Sequence, residues 1–260
     1  MADFPEGCIA DIISFTTPRD ACRLRLVSTT FRSAAESDTV WEKFLPPDFS
    51  SLVSRSTHPP IFSRLKDLYF TLCNRPLLID GGRKSFSLEK ETGKKCFMLS
   101  ARELCIIWGD TPRYWKWISS PKTRFEEVAL LLRVCWLEIS GKIEISMLSP
   151  STRYTAYLVF KLNRQFLWGF NIQAGDTSIR VSESGETVRG TAVLGAHLYK
   201  REEENWHNYP EERKDGWMEI ELGEFFYHGR QEGELEMRFE DLSGHWKGGL
   251  VVHGIEIRPK

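Results

Sequence analysis

The sequence predicts a chain in two regimes, a small N-terminal helical unit followed by an antiparallel β-sandwich or barrel. Three observations carry this reading. Up to about residue 47, apolar residues recur every three or four positions, the spacing of one helix face. After Cys96 they recur at every second position, as in Met218, Ile220 and Leu222 or Leu235, Met237 and Phe239. That is the pattern of strands with one buried face. Gly and Asp turns separate many such short runs, which favours antiparallel strands over a βαβ fold. With 260 residues, 41 % of them hydrophobic, the chain can form one large domain or two ordinary ones.

The elements follow in order. Pro5, Ile9, Ile12 and Ile13 place apolar side chains one helical turn apart. Thr17-Pro18-Arg19-Asp20 is a helix start: Thr17 caps, Pro18 suits the first position, and Asp20 closes the capping box. Ala21, Leu24 and Val27 follow on one face, and Phe31, Ala34 and Ala35 continue the spacing. A second box, Thr39 to Glu42, opens a turn carrying Val40, Trp41, Phe44 and Leu45, which Pro46-Pro47 stops. Residues 1–47 are too few to bury their apolar faces alone, so a partner is expected. Residues 48–95 read as a linker with a connecting helix. Ser-rich Phe49–Ser56 and His58-Pro59-Pro60 supply the linker, and Ile61, Leu65, Leu68 and Leu72 the helix. Asp80-Gly81-Gly82 is a turn. Residues 96–260 form the β domain, with strands at Leu104–Trp108, Val134–Met147, Ala156–Leu162, Phe166–Ile172, Trp217–Leu222, Leu235–Phe239 and Leu250–Ile257. Phe125–Leu132 reads as a short helix, and Arg189–Lys214 as a mobile surface insertion.

Several function classes drop out. Lys and Arg total 35 against 36 Asp and Glu, so no excess charge draws the chain to nucleic acid or an acidic membrane surface. No apolar run exceeds that of Val128–Leu132, far short of the roughly 20 residues of a membrane helix. The first residues lack the basic patch and apolar stretch of a secretory signal. The six Cys are never two or three apart, unlike a zinc cluster, and fit a reducing intracellular compartment. The six His show no ligand spacing, so no metal is expected. No phosphate loop or nucleophile elbow calls for a cofactor or catalysis. Glu219, Glu221, Glu224, Glu234 and Glu236 alternate along strands and read as a solvated face, not a glycosidase pair. Trp136 and Trp217, within alternating runs, are assigned to structure.

The run Phe4-Pro5-Glu6, Ile9, Ile13, Pro18-Arg19-Asp20, Leu24, Val27-Ser28, Phe31-Arg32 and Val40-Trp41 resembles an F-box, with Phe4 where a Leu is usual. That family is a small helical hook that docks the adaptor Skp1 and, through it, a cullin-RING ubiquitin ligase. The resemblance implies adaptor contact for Pro5, Ile9, Ile13, Pro18, Leu24, Val27 and Trp41, apolar side chains of the kind that enter a groove.

From about residue 97 a second resemblance takes over. Ser100-Ala101-Arg102-Glu103-Leu104, Trp108-Gly109-Asp110, Tyr114-Trp115-Lys116-Trp117, Cys135-Trp136-Leu137-Glu138-Ile139, Tyr157-Leu158-Val159-Phe160-Lys161, Gly216-Trp217-Met218-Glu219-Ile220 and Gly254-Ile255-Glu256-Ile257-Arg258-Pro259 stand in order. Together they resemble the phloem protein 2 domain, a plant lectin domain similar to the tobacco agglutinin. Joined to the F-box, the whole is similar to plant F-box proteins of the phloem protein 2-B group. The resemblance implies a jelly-roll β-sandwich that binds N-acetylglucosamine oligomers or N-glycan cores. It assigns sugar contact to Trp108, Trp115 and Glu234, with Asp241 as a second acidic position. An aromatic face packs sugar C–H groups and carboxylates accept hydroxyls.

The expected function is therefore a non-catalytic substrate receptor of the cytoplasm and nucleus. The helical unit docks Skp1 and the β domain captures a protein target, glycosylated or not. The alternative is a lectin for N-acetylglucosamine glycans with no ligase role.

Overall fold

The structure, a computed structural model, describes residues 4–120, 123–163, 165–170, 174–195 and 208–260. It divides into two compact units, Met1–Gly81 with Ser85–Cys96, and Gly82–Lys84 with Phe97–Lys260.

The first unit holds helices α1 (Glu6–Ser14), α2 (Pro18–Leu24), α3 (Thr29–Glu36), α4 (Asp38–Phe44), α5 (Phe49–Ser54) and α6 (Leu65–Asn74). Strands β1 (Leu77–Ile79) and β2 (Lys84–Leu88) follow. Thr17 caps α2 as its sequence predicts, accepting from the Asp20 amide at 3.1 Å. The cap of α4 is Ser37 and not Thr39. Asp38 is drawn to another task, accepting from the Leu65 amide at 2.9 Å at the head of α6. The Ser-rich run read as linker carries α5, whose Leu52 is buried. Just beyond it Arg55 grips both Asp80 oxygens, at 2.9 and 2.7 Å. Trp41 is the hub of this unit. Its ring lies 5.2 Å from Tyr69 and 5.3 Å from Phe70 on α6, and its indole N–H donates to the Ala35 carbonyl at 2.8 Å. Ile9, Ile13, Val40, Leu68 and Leu72 are buried with it.

Among the described residues the second unit is built on two antiparallel sheets, as the alternation predicts, with single 3-10 turns at Ala101–Glu103 and Ile145–Met147. Its strands are β3 (Lys95–Ser100, from Phe97 onward), β4 (Cys105–Ile106), β5 (Trp115–Ile118), β6 (Val128–Leu131), β7 (Leu137–Glu144) and β8 (Thr152–Leu162). The remainder are β9 (Gly175–Val181), β10 (Thr187–Ala192), β11 (Glu211–Glu212), β12 (Met218–Tyr227), β13 (Glu234–Asp241) and β14 (Leu250–Pro259). The larger sheet runs β3-β14-β8-β12-β11, with β6 also on β14 and β5 on β6. The smaller runs β10-β9-β13-β7-β4. The sheets pack face to face: a methyl at Gly141 of β7 would strike Leu99 of β3 and approach Ile255 of β14.

Four sequence expectations change here. Phe125–Leu132 is not a helix but contains β6; a short apolar run does not distinguish the two periods, and pairing with β14 decides for strand. Among the described residues of Phe166–Ile172, only Trp168 makes a β-bridge, to Gly248. The insertion expected over Arg189–Lys214 includes part of β10 and all of β11, while residues 196–207 lie outside the described set. Trp217 is buried, but Trp136 stands half-exposed just ahead of β7.

Strand β14 bulges between Val252 and Gly254, where it pairs with β8. The extra residue, His253, is buried against Trp217 (4.4 Å, stacked) and the edge of Phe125 (5.5 Å). Among the described residues, neither of its ring nitrogens has a hydrogen-bond partner. Burial pulls its pKa down to about 3; Arg124, Arg213 and Lys161 push the same way, and Asp215 opposes them. The unfolded chain binds that proton near pH 6.5. Stability is therefore complete above that pH and falls as the pH drops toward 3, by on the order of a few kcal/mol. Carboxylates also lose stability on acidification, but later. Burial alone would raise Glu219, yet hydrogen bonds and charge from Arg258 and Arg213 bring it below its ordinary value. Its contribution is lost only below about pH 4.5. Chemical denaturation at pH 7 and pH 5 should thus show a loss at pH 5 that a His253→Phe variant lacks. Equal pH 5 losses in both proteins would count against this assignment.

Candidate functional site

The helical unit sorts its apolar residues into two sets. Of the residues assigned to adaptor contact, Ile9, Ile13, Pro18 and Trp41 are buried and hold the unit together. Leu24 is half-buried, while Pro5 and Val27 are exposed. On a helix with Ile12 beside Ile13, only one of the pair can face the core. Ile13 takes that place, and Ile12 is left outside. Outside with it are Phe4, Phe15 (88 % exposed), Leu26 (78 %) and Val27. Isolated exposed apolar residues are ordinary. Five large ones from α1, its flanks and the turn after α2, all within 24 residues of chain, exceed such scattered exposure. Periodicity finds the buried set. The signal for the outer set is the leftover: doubled Ile12-Ile13, and Leu26-Val27 beyond the end of α2.

In the β unit the four residues assigned to sugar do not form one site. Trp108 follows β4 and is 43 % exposed, its ring 5.4 Å from that of Tyr114. Its φ of 57° is in the left-handed region, an unusual place for a bulky side chain. The loop around it is fixed by backbone bonds, Gly109 N–H to the Ile106 carbonyl (2.9 Å) and Thr111 N–H to the Trp108 carbonyl (2.8 Å). The Trp117 indole adds a third, donating to the Gly109 carbonyl at 3.0 Å. Trp115, by contrast, is buried, 2 % exposed, and donates its indole N–H to the Ile107 carbonyl at 3.2 Å. It supports the Trp108 loop from beneath. Glu234 and Asp241 stand at opposite ends of β13. Glu234 faces Glu144 and pairs with Lys142 at 3.1 Å. The Ile107 amide bonds to the Glu138 carbonyl, and Glu138 faces Glu240. Trp108 therefore lies near the Asp241 end, roughly 20 Å along the strands from Glu234.

Asp241 is at the right end but points inward. It is buried, its carboxylate 3.1 Å from Lys247 Nζ and accepting from the Ser243 amide at 3.1 Å. Lys247 has no exposed surface, and its ammonium also donates to the Cys135 carbonyl at 3.2 Å. Two β-bridges, Val134 to Lys247 and Trp168 to Gly248, join three loops at this point. Gly248 is required there, because a Cβ would lie 2.4 Å from the Leu132 carbonyl oxygen and 2.7 Å from the Trp168 indole nitrogen. These loops carry Trp136, Trp168 and Trp246, each roughly half-exposed. Their alternation or isolation in sequence gave no sign of exposure.

Comparison with known proteins accords with this division. Residues 1–43 match the F-box domain family and residues 94–259 match the family Phloem protein 2. The chain is 48% identical over 257 residues to the F-box protein At2g02240 of Arabidopsis thaliana, covering 98% of this chain and 79% of that one. It is 49% identical over 259 residues to the Arabidopsis F-box protein PP2-B10, covering 98% and 93%. Among solved structures, the Podospora anserina GH26-CBM35 beta-(1,4)-mannanase aligns with 8% identity and a TM-score of 0.33, over 64% of this chain and 28% of that one. A helical F-box with an uncovered apolar face, a two-sheet lectin-like unit, and close relatives over nearly the full length together place this chain in the phloem protein 2 family, among the members that carry an F-box.

Proposed function

We propose that the chain is a substrate receptor of a cullin-RING ubiquitin ligase, its helical unit docking a Skp1-type adaptor and its β unit holding a protein target. The observation that carries this reading is the exposed set Phe4, Ile12, Phe15, Leu26 and Val27 on a unit that matches the F-box family. A helical face of this kind fits a hydrophobic groove. Ubiquitin transfer belongs to the partner subunits, so the chain itself works by binding. Such a receptor would act in the reducing cytoplasm and nucleus, where scattered cysteines like these stay as thiols.

The strained, half-exposed Trp108 favours a glycan component in target recognition. Backbone strain persists where the surroundings enforce it, commonly at binding sites, and a presented indole face is what N-acetylglucosamine packs against. A lectin without a ligase role would share this feature but not need the apolar helical face.

Two measurements test these readings. In calorimetry of the full chain with recombinant Skp1, Phe15→Asp with Leu26→Asp should lower affinity at least tenfold while leaving circular dichroism unchanged. Unaltered Skp1 affinity in that variant would sink the adaptor reading. Ile13→Ala should instead act on folding, costing about 2–5 kcal/mol as a buried cavity does. For the glycan component, chitotriose titrated against tryptophan fluorescence should show weak binding. Trp108→Ala should remove about 1–3 kcal/mol of it. Glu234→Gln should leave it unchanged, being at the far end of β13. No response to chitotriose would remove the glycan component and leave the adaptor reading intact.

A further inference from the structure

The outward face of the smaller sheet carries a groove of about 590 Å³, and none of its lining residues has an apolar side chain. Alternation explains the polarity. Leu235, Met237 and Phe239 of β13 and Ile179 and Val181 of β9 are buried, which turns Glu236, Arg238 and Glu240, with Asp176, Ser178 and Arg180, the other way. Register then sets their neighbours. Ser178 lies between Arg189 of β10 and Arg238 of β13, Arg180 faces Glu236, and Asp176 faces Glu240.

The three arginines are not equivalent. Arg238 is neutralised, with Glu236 at 2.8 Å, Glu138 at 3.0 Å and Glu240 at 3.7 Å. Among the described residues, Arg180 and Arg189 make no ion pair. Arg189 is opposite Ser178, and Arg180 is two residues further along β9. They are therefore diagonal neighbours across strands, with Cα atoms about 7 Å apart. Two guanidiniums so placed can hold one anionic group through paired, charge-assisted hydrogen bonds. At the other end of the groove Asp176 faces Glu240, which also lies 3.7 Å from Arg238. In that position they are acceptors facing solvent.

We propose that this groove is a second ligand site, for a carboxylated saccharide. The sugar carboxylate sits between Arg180 and Arg189, and hydroxyls of the same or the next ring donate to Asp176 and Glu240. The all-polar lining chooses saccharide over peptide. A peptide draws most of its affinity from apolar anchors in pockets, which the groove does not offer, and Asp176 and Glu240 repel acidic side chains. A polyhydroxylated acid satisfies both ends. The site is separate from Trp108, which follows β4 at the opposite edge of the sheet. It stands whether or not the helical unit docks an adaptor.

The test is calorimetry of the full chain with trigalacturonic acid, with galactotriose as the uncharged counterpart and a phosphoserine peptide as the competing anion. Trigalacturonic acid should bind, more weakly as salt is raised, and galactotriose should bind at least tenfold more weakly. Arg180→Gln with Arg189→Gln should reduce trigalacturonic acid affinity at least tenfold while leaving the chitotriose and Skp1 titrations unchanged. Both arginines are exposed, and matching circular dichroism will verify the fold. Absence of binding, equal binding by the double variant, or equal binding of galactotriose would each overturn the proposal. So would tighter binding of the phosphoserine peptide that the double variant loses, which would give the groove to phosphorylated protein instead.

Discussion

A lysine with no surface in water must be given an anion, and the meeting of Lys247 with Asp241 settles the loop end of the β unit. Taking both charges out of solvent costs several kcal/mol per ion, and only close pairing and further hydrogen bonds repay it. The pair therefore admits little positional freedom. Lys247 also reaches the Cys135 carbonyl, and its backbone exchanges hydrogen bonds with Val134. One ion pair thus fixes the loop after β13 against the approach to β7. It also explains why Asp241, at the right end of its strand for ligand contact, faces away from solvent.

The helical unit obeys a different constraint. Its helices are short, between six and ten residues, and isolated helices of that length are unstable in water. They persist because each is packed, and Trp41 packs several at once. Ala35 takes its indole N–H, Phe44 meets its edge, and Tyr69 and Phe70 cover it from α6. Once Trp41, Val40 and Ile13 occupy the interior, neighbouring apolar side chains have nowhere to go but out. The exposed apolar residues and the core are two consequences of the same packing decision.

That division marks the limit of what could be read in advance. Periods of 3.6 and 2 are properties of local geometry, so the helical start at Thr17-Pro18 and the alternation of β12 and β13 were legible without coordinates. Which side of a short helix turns inward is a tertiary matter, and Ile12 and Ile13 are indistinguishable until Trp41 is in place. The same holds for the sugar residues. Trp108, Trp115 and Glu234 follow one another in a familiar order, but order says nothing of depth or of strand ends. Trp115 lies under the loop that Trp108 tops, and Glu234 sits the length of β13 away from the loop end. The groove was hidden for a related reason. Arg180, Arg189 and Arg238 look alike in sequence, and only the folded geometry shows that, among the described residues, Arg238 is ion-paired and the other two are not.

Arg189 has one more bearing. It lies in the middle of β10, the outermost strand of its sheet, and all but the last residue of that strand are exposed. An open strand edge is a template on which another chain can add a strand, and natural proteins blunt such edges with charge. A guanidinium halfway along β10, next to Gly190 with its low strand propensity, does this. The residue offered to a ligand on one face thus also guards the chain against self-association along the edge.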